Sequence, residues 1–289
     1  MLGLATLAGA QATPAPVVGP GSAVALLPPC AQIAASGPRF APLAQACQYA
    51  LAPDRLPDFV CEEEIQQSTR FPGYENWTQL DVMTEQVSFE QGNGTQYAKV
   101  AIDGHRIRQL ANWHSASEQW KYLVHNHLGG MVDSGQFVSD LRIVFTSQNH
   151  TSFDYRNEIT VRNTPLIVFG FQIKKPSDDT KWRNFLPGLT LGEGGVYTGL
   201  TGLLWLDKNT SSLRRLVSHA TEIGHKIPVE AEASATDYGS VTIPELGQFV
   251  LPTGGEILSC LKSGRCWRNV VTFKNCHKFA GKSRILPAQ

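Results

Sequence analysis

The chain has 289 residues, of which 42% are hydrophobic and 9% aromatic, a globular composition with room for one large domain or two small ones. Twenty-five Lys and Arg balance twenty-five Asp and Glu, so no net field draws the chain onto nucleic acid, and a nucleic-acid partner is not expected. No stretch approaches the ~20 consecutive apolar residues of a membrane-spanning helix.

Residues 1–12, MLGLATLAGAQA, are small and apolar and close on Ala10-Gln11-Ala12, the pattern that signal peptidase reads. They predict an export signal, a shortened one because it has no basic n-region. Residues 13–42 are rich in Ala, Pro and Gly and read as a flexible tether. The folded part is expected to run as a single domain from residue 43 to residue 289. Leu43 to Leu51 predicts a short helix, ended by Pro53 and lying on a sheet.

From Phe59 the hydrophobic period becomes two. Met83, Val87 and Phe89 share one strand face, Gln91-Gly92-Asn93-Gly94 marks a hairpin, and Ala98, Val100 and Ile102 are expected on one face of the returning strand. Asp103-Gly104 is the next turn. Phe169, Phe171 and Ile173 alternate, as do Val217, Thr221 and Ile223, and then Trp267, Val271 and Phe273. Ser115 to Leu128 and Phe137 to Thr146 break the alternation, the second with Phe137, Leu141, Val144 and Phe145 at helical spacing. The predicted class is α+β: one large curved antiparallel sheet of about ten strands, an incomplete β-barrel, with a few helices on its concave face.

Six cysteines cluster at the two ends of the chain, which suggests that the ends meet. The pairing chosen is Cys61 with Cys276, Cys260 with Cys266 and Cys30 with Cys47, one of fifteen possible connectivities. No Cys-x-x-Cys occurs, and no metal or cofactor is expected.

His125-Asn126-His127, with His114, Asp133 and Asp140 nearby, lacks the spacing of a metal site and reads as solvated histidines. The glycines from Leu191 to Gly202 lack the Lys and hydroxyl of a phosphate loop. Glu62-Glu63-Glu64 places Glu62 and Glu64 on one face and reads as edge protection rather than an acid–base pair. Arg106, Arg108 and Arg142 are candidate headgroup contacts, with surface ion pairing as the ordinary alternative.

Leu56-Pro57-Asp58-Phe59-Val60-Cys61 and residues 269–285, NVVTFKNCHKFAGKSRI, resemble a group of bacterial secreted proteins that open on an LPxYxC strand. Gly202-Leu203-Leu204-Trp205-Leu206-Asp207 with Leu213-Arg214-Arg215-Leu216 resembles their G-x-(I/L)-W-(V/L)-D…L-R-L hairpin, and Phe249-Val250-Leu251-Pro252 resembles their FLLP segment. The same hairpin resembles that of the LolA-like periplasmic lipoprotein carriers and the related LppX-like lipid carriers. The resemblance implies a half-barrel with an apolar inner surface for acyl chains, in a periplasmic or extracellular location in the bacterial envelope. The ligand-cleft candidates are Trp113, Trp120, Phe137, Leu141, Arg142, Phe145, Phe169, Phe171 and Trp205.

The leading expectation is an exported, non-catalytic binding protein for a lipid or acyl chain. A structural or protein-interaction module with a filled interior is the alternative, and an enzyme is the least favoured, because no catalytic residue set is legible.

Overall fold

The protein is described by a computed structural model that covers residues 27–52, 56–90, 94–115, 118–119, 121–123, 139–146, 151–175 and 198–279. Among the described residues, the α-helices α1 (Pro28–Ala35), α2 (Ala41–Leu51) and α3 (Ser139–Phe145) accompany twelve strands. The first strands are β1 (Phe59–Arg70), β2 (Thr78–Glu90), β3 (Gly94–Ile102) and the two-residue β4 (His105–Arg106) and β5 (His114–Ser115). Then follow β6 (Ser152–Val161), β7 (Thr164–Ile173), β8 (Gly199–Asp207), β9 (Leu213–Thr221), β10 (Val229–Ile243), β11 (Gly247–Leu261) and β12 (Cys266–Lys278).

All twelve belong to one sheet in the order β4-β3-β2-β1-β12-β11-β10-β9-β8-β7-β6, with β5 beside β3. The sheet is antiparallel and does not close, so the α+β incomplete barrel is what forms. The strands beyond the expected ten are two residues each, too short to display a period. Outside β5, which lies beside β3, most consecutive strands pair with each other, and the sheet is joined in its middle by the first long strand against the last, β1 on β12.

The register sets which residues face inward. One transverse row reads Tyr155, Phe169, Leu204, Leu216, Thr236, Gly255, Val271, Ile65, Met83 and Ile102. Paired residues in such a row point to the same side. Large apolar side chains occupy both flanks, and the small Thr236 and Gly255 lie between them. Accordingly the inner face carries two core clusters. The first joins β7, β8 and β9 to α1, α2 and α3; the second joins β1, β2, β3 and β12 to Leu123, at the end of the helical residues 121–123. Phe171 faces Gly202 across the β7–β8 ladder, and a Cβ on Gly202 would lie 2.6 Å from its ring, so glycine there lets the ring lie on the sheet.

Two features differ from the sequence reading. Residues 28–35, placed in the tether, form α1: Pro28 and Pro29 occupy its first two positions, where a missing N–H costs nothing. Ser36 and Gly37 close it by donating to Ile33 and Ala34 carbonyls, and Cys30 and Ile33 are buried against α2. The export-signal reading of residues 1–12 lies outside the described residues. Ala98 does not share a face with Val100 and Ile102. Lys99 has φ +55°, and the β2–β3 register slips between Thr84 and Gln86, a bulge that turns Ala98 outward beside Gln86.

A second bulge serves the cysteines, which pair Cys30–Cys47, Cys61–Cys276 and Cys260–Cys266, as chosen from the sequence. Val271 and Phe273 face inward on β12, and strict alternation would aim Asn275 at the core. Asn275 instead takes φ +54°, the register slips opposite Cys61, and Cys276 comes to the inner side. Asparagine tolerates this left-handed conformation better than most residues. Replacing Cys61 and Cys276 together by Ser removes a link across 215 residues and is expected to lower the unfolding free energy by about 5 kcal/mol on the loop-entropy argument. The Cys260–Cys266 pair spans only 6 residues, and its replacement should cost about 2 kcal/mol. Denaturant titration of the two double variants checks the order.

Candidate functional site

Strands β10 and β11 outrun their neighbours. β9 pairs β10 only over Ala233–Asp237, and β12 pairs β11 only from Gly254 onward, so residues 238–252 form a two-stranded arm. The alternation gives that arm two different faces. Tyr238 and Val250 pack on the first cluster, and Val241, Ile243, Phe249 and Leu251 on the second. The arm therefore stands at the seam between the two cores.

Freed from β12, the outer backbone groups of Val250 need partners. Tyr49 of α2 supplies both: its hydroxyl donates to the Val250 carbonyl at 2.9 Å and accepts from the Val250 N–H at 3.2 Å. This holds α2 at a fixed height over the arm. Below it opens a cleft of about 420 Å³, bounded by α2, α3, the β8–β9 turn and the arm. Ala46, Leu141, Phe145, Leu213, Tyr238 and Val250 form its apolar walls, and Gln45, Gln48, Thr210, Ser211 and Ser212 make the remainder polar. A separate small cavity of about 20 Å³ shares Tyr49, Leu141, Tyr238 and Val250 with the cleft and is also lined by Leu56, Phe89 and Leu251 of the second cluster.

Asp207 sets the β8–β9 turn at one side of the cleft. Its Oδ1 accepts from the Asn209 and Thr210 N–H groups, and its Oδ2 is paired with Arg214 at 2.8 Å. Burial opposes its ionisation, but the Arg214 pair and the two amides outweigh it and hold the carboxyl below its ordinary range. The Gly-Leu-Leu-Trp-Leu-Asp segment is thus the first strand of a hairpin whose turn its terminal Asp fastens.

Of the residues expected in a ligand cleft, Leu141 and Phe145 line it, one helical turn apart on α3, and the exposed Arg142 lines only the separate small cavity. Phe169 and Phe171 are buried in the first cluster, Phe169 against the rings of Phe40 and Tyr155. Trp205 lies on the outer face, because Leu204 and Leu206 take the inward positions on either side of it. Trp113 is 37% exposed and meets the Phe279 ring edge-on, away from the cleft. Trp120 and Phe137 fall outside the described residues, as do His125, His127, Asp133 and the glycines from 192 to 195. Tyr49, Tyr238 and Val250 were not singled out from the sequence; only the overhang of β10 and β11 makes them neighbours.

The glutamate run reads differently in three dimensions. β1 is an interior strand, between β2 and β12, so the run protects no edge. Glu62 and Glu64 face outward to Asn275 and Lys274, while Glu63 points inward, 7% exposed, opposite Glu85 on β2. Burial pushes the Glu85 carboxyl up to about 7, against the lowering effect of hydrogen bonds from Gln119 and Glu63. The Gln119 amide donates to Glu85 at 2.5 Å. Among the described residues no group of three metal-ligating side chains occurs.

No family model matches the chain, and no curated protein does. Among solved structures it is similar to an outer membrane lipoprotein-sorting protein domain from Vibrio parahaemolyticus, at 10% identity over 80% of this chain and 90% of that one, with a TM-score of 0.38. It is similar to a LolA superfamily protein from Nitrosomonas europaea, at 12% identity over 81% and 94%, with a TM-score of 0.35. A DUF1329 family protein from Desulfovibrio piger is similar at 9% identity over 84% and 95%, with a TM-score of 0.36. These likenesses concern the course of the chain and bring no function with them.

The folded protein keeps a proton on Glu85 that the unfolded chain releases once pH rises above the ordinary value of 4.5. Stability therefore falls as pH rises from 4.5 to about 7 and levels off beyond. Glu85→Gln is expected to remove that slope, gaining on the order of 3 kcal/mol over the natural chain at about pH 8 and little at about pH 4. Urea titrations at the two pH values measure it.

Proposed function

We propose that this is an exported, non-catalytic binding protein that holds one amphipathic molecule, an acyl chain or lipid, in the cleft between α2, α3 and the β10–β11 arm. The observation that carries the reading is the cleft itself: about 420 Å³, apolar on its helix and arm walls and hydroxyl- and amide-lined elsewhere. That volume falls in the ~300–1,000 Å³ range of small-ligand sites. An apolar tail would lie along Leu141, Phe145 and Leu213, and a polar head would meet Gln45, Gln48 and Ser212. Among the described residues the cleft has no carboxylate, imidazole or thiol in its lining, which favours holding over chemistry. Three disulfides suit an oxidising compartment outside the cytoplasm, and the periplasm or the cell exterior is the proposed location.

Detergent-free native mass spectrometry, followed by titration of the delipidated protein with a fluorescent fatty-acyl probe, tests the proposal. Saturable uptake of one probe per chain is expected. Gln45 is exposed on α2 at the cleft, so Gln45→Trp should leave the fold unchanged by circular dichroism and weaken the probe by tenfold or more, that is by about 1.4 kcal/mol. A bare mass with no saturable uptake would overturn the reading in favour of a module whose interior is filled by its own side chains.

A further inference from the structure

The end of the sheet opposite the cleft carries a rim of aromatic rings and cations. There the β1–β2 turn, residues 71–77, lies beside the β11–β12 turn, residues 262–265, with Pro72 against Gly264. The first turn is preset. The Tyr74 N–H donates to the Phe71 carbonyl across Pro72 and Gly73, and Gly73 takes φ +80°. Pro fixes one central residue of such a turn and Gly supplies the left-handed one. The turn holds out Phe71 at 45% and Tyr74 at 72% exposure, two of the four large apolar side chains that stand exposed among the described residues.

Guanidinium groups accompany the rings on both faces of the sheet. On the inner face Arg265 lies 4.9 Å from the Phe71 centroid and 4.8 Å from that of Trp267, with its Nε donating to the Thr69 hydroxyl. On the outer face Arg70 lies 5.2 Å over the Trp77 ring, and Arg268 lies 6.0 Å from the same ring. The alternation assigns the faces: Thr69 and Trp267 share the side of Ile65 and Val271, and Arg70 and Arg268 point the other way.

The rim has an excess of positive charge. Residues 70–77 and 262–268 hold four Lys and Arg against one Glu, in a chain whose charges balance. Arg268 is answered by Glu256, but among the described residues neither Arg70 nor Arg265 is in an ion pair. The β9–β10 turn, fastened alongside by Lys262 to the His225 and Pro228 carbonyls, adds one charge of each sign, Lys226 and Glu222.

This distribution selects a partner. Rings and cations gathered on one face would suit a sugar, a nucleotide strand or a peptide laid across that face. Here they flank the strand ends on both sides, within three residues of the turns, a band of about 10 Å at ~3.3 Å per residue. What meets both sides of a sheet end at once is a surface into which that end dips. Aromatic rings and Arg side chains settle at the headgroup level of a bilayer, the ring and the aliphatic stem toward the acyl boundary and the charge toward phosphate. The excess of cations adds attraction for anionic lipid. A second copy of the same positive tip would be repelled.

We propose that this tip, led by Phe71 and Tyr74 and flanked by Arg70 and Arg265, docks the protein on the surface of an anionic lipid bilayer. The strands then stand on the membrane, and the cleft at the far end opens away from it. Docking and acyl uptake are separate properties of opposite ends.

Flotation of the full chain with lipid vesicles tests the proposal. Binding is expected to phosphatidylcholine vesicles in which phosphatidylglycerol replaces a third of the lipid, and not to phosphatidylcholine alone. It should fall at least roughly tenfold between about 0.1 M and about 1 M salt. Phe71→Ser with Tyr74→Ser, a change at exposed positions, should weaken it roughly tenfold or more, and Arg70→Gln with Arg265→Gln about thirtyfold. Both double variants should keep the circular dichroism of the natural chain and its response to the acyl probe. Gln45→Trp, which fills the cleft, should keep full vesicle binding. Equal binding to neutral and anionic vesicles, undiminished binding in the Phe71 and Tyr74 variant, or loss of binding in Gln45→Trp would each overturn the proposal. So would a dimer that Tyr74→Ser dissolves, or capture of a soluble acidic polymer, in a chain that binds no vesicle.

Discussion

The pairing of β1 with β12 is the constraint on which the rest depends. Each remaining half of the sheet pairs strands that are neighbours in the chain, but neither half has a complete inner face alone. Joining them sets the row from Tyr155 to Ile102 in one register, and that row decides which side chains the helices cover. The bulge at Asn275 is part of the same constraint. It shifts the parity of the end of β12 so that Cys276, rather than its neighbour, meets Cys61.

From that register the cleft follows. Because β12 pairs with β11 only from Gly254 and β9 leaves β10 at Asp237, the tip of the β10–β11 hairpin stands clear of the sheet. A free double strand with two apolar sides has to be covered on both. The first cluster takes Tyr238 and Val250, the second takes Ile243 and Leu251, and the space between α2, α3 and the arm is left over. The cleft is thus a consequence of unequal strand lengths rather than of any residue motif.

The sequence displayed its strands well, because period-two alternation of Val, Ile and Phe is a direct image of a pleated face, as at Met83, Val87 and Phe89. Bulges are another matter. Lys99 and Asn275 adopt positive φ without any glycine to announce it, and one such residue reverses every face assignment beyond it, which is why Ala98 was misplaced. Composition misled at α1, where two prolines that look like a tether sit at helix positions that accept them. On the site, Leu141 and Phe145 were legible from helical spacing. Tyr49 and Val250 were not, being 201 residues apart and joined only by the overhang. Glu63 was hidden in a run of three glutamates that reads as edge protection, and Glu85 comes opposite it through the register alone.

The Cys61–Cys276 bond also makes the covalent structure a ring that contains every strand from Cys61 to Cys276. A protease nick at any one loop inside that ring leaves a single connected molecule, with the hydrogen-bonded sheet still holding the cut ends in place. The α1–α2 pair lies outside the ring as a tail with a cross-link of its own, Cys30–Cys47. A cut between α2 and β1 would leave that pair, one wall of the cleft, held to the sheet by packing and the Tyr49–Val250 hydrogen bonds alone, so the covalent safeguard of the ring is withheld from it.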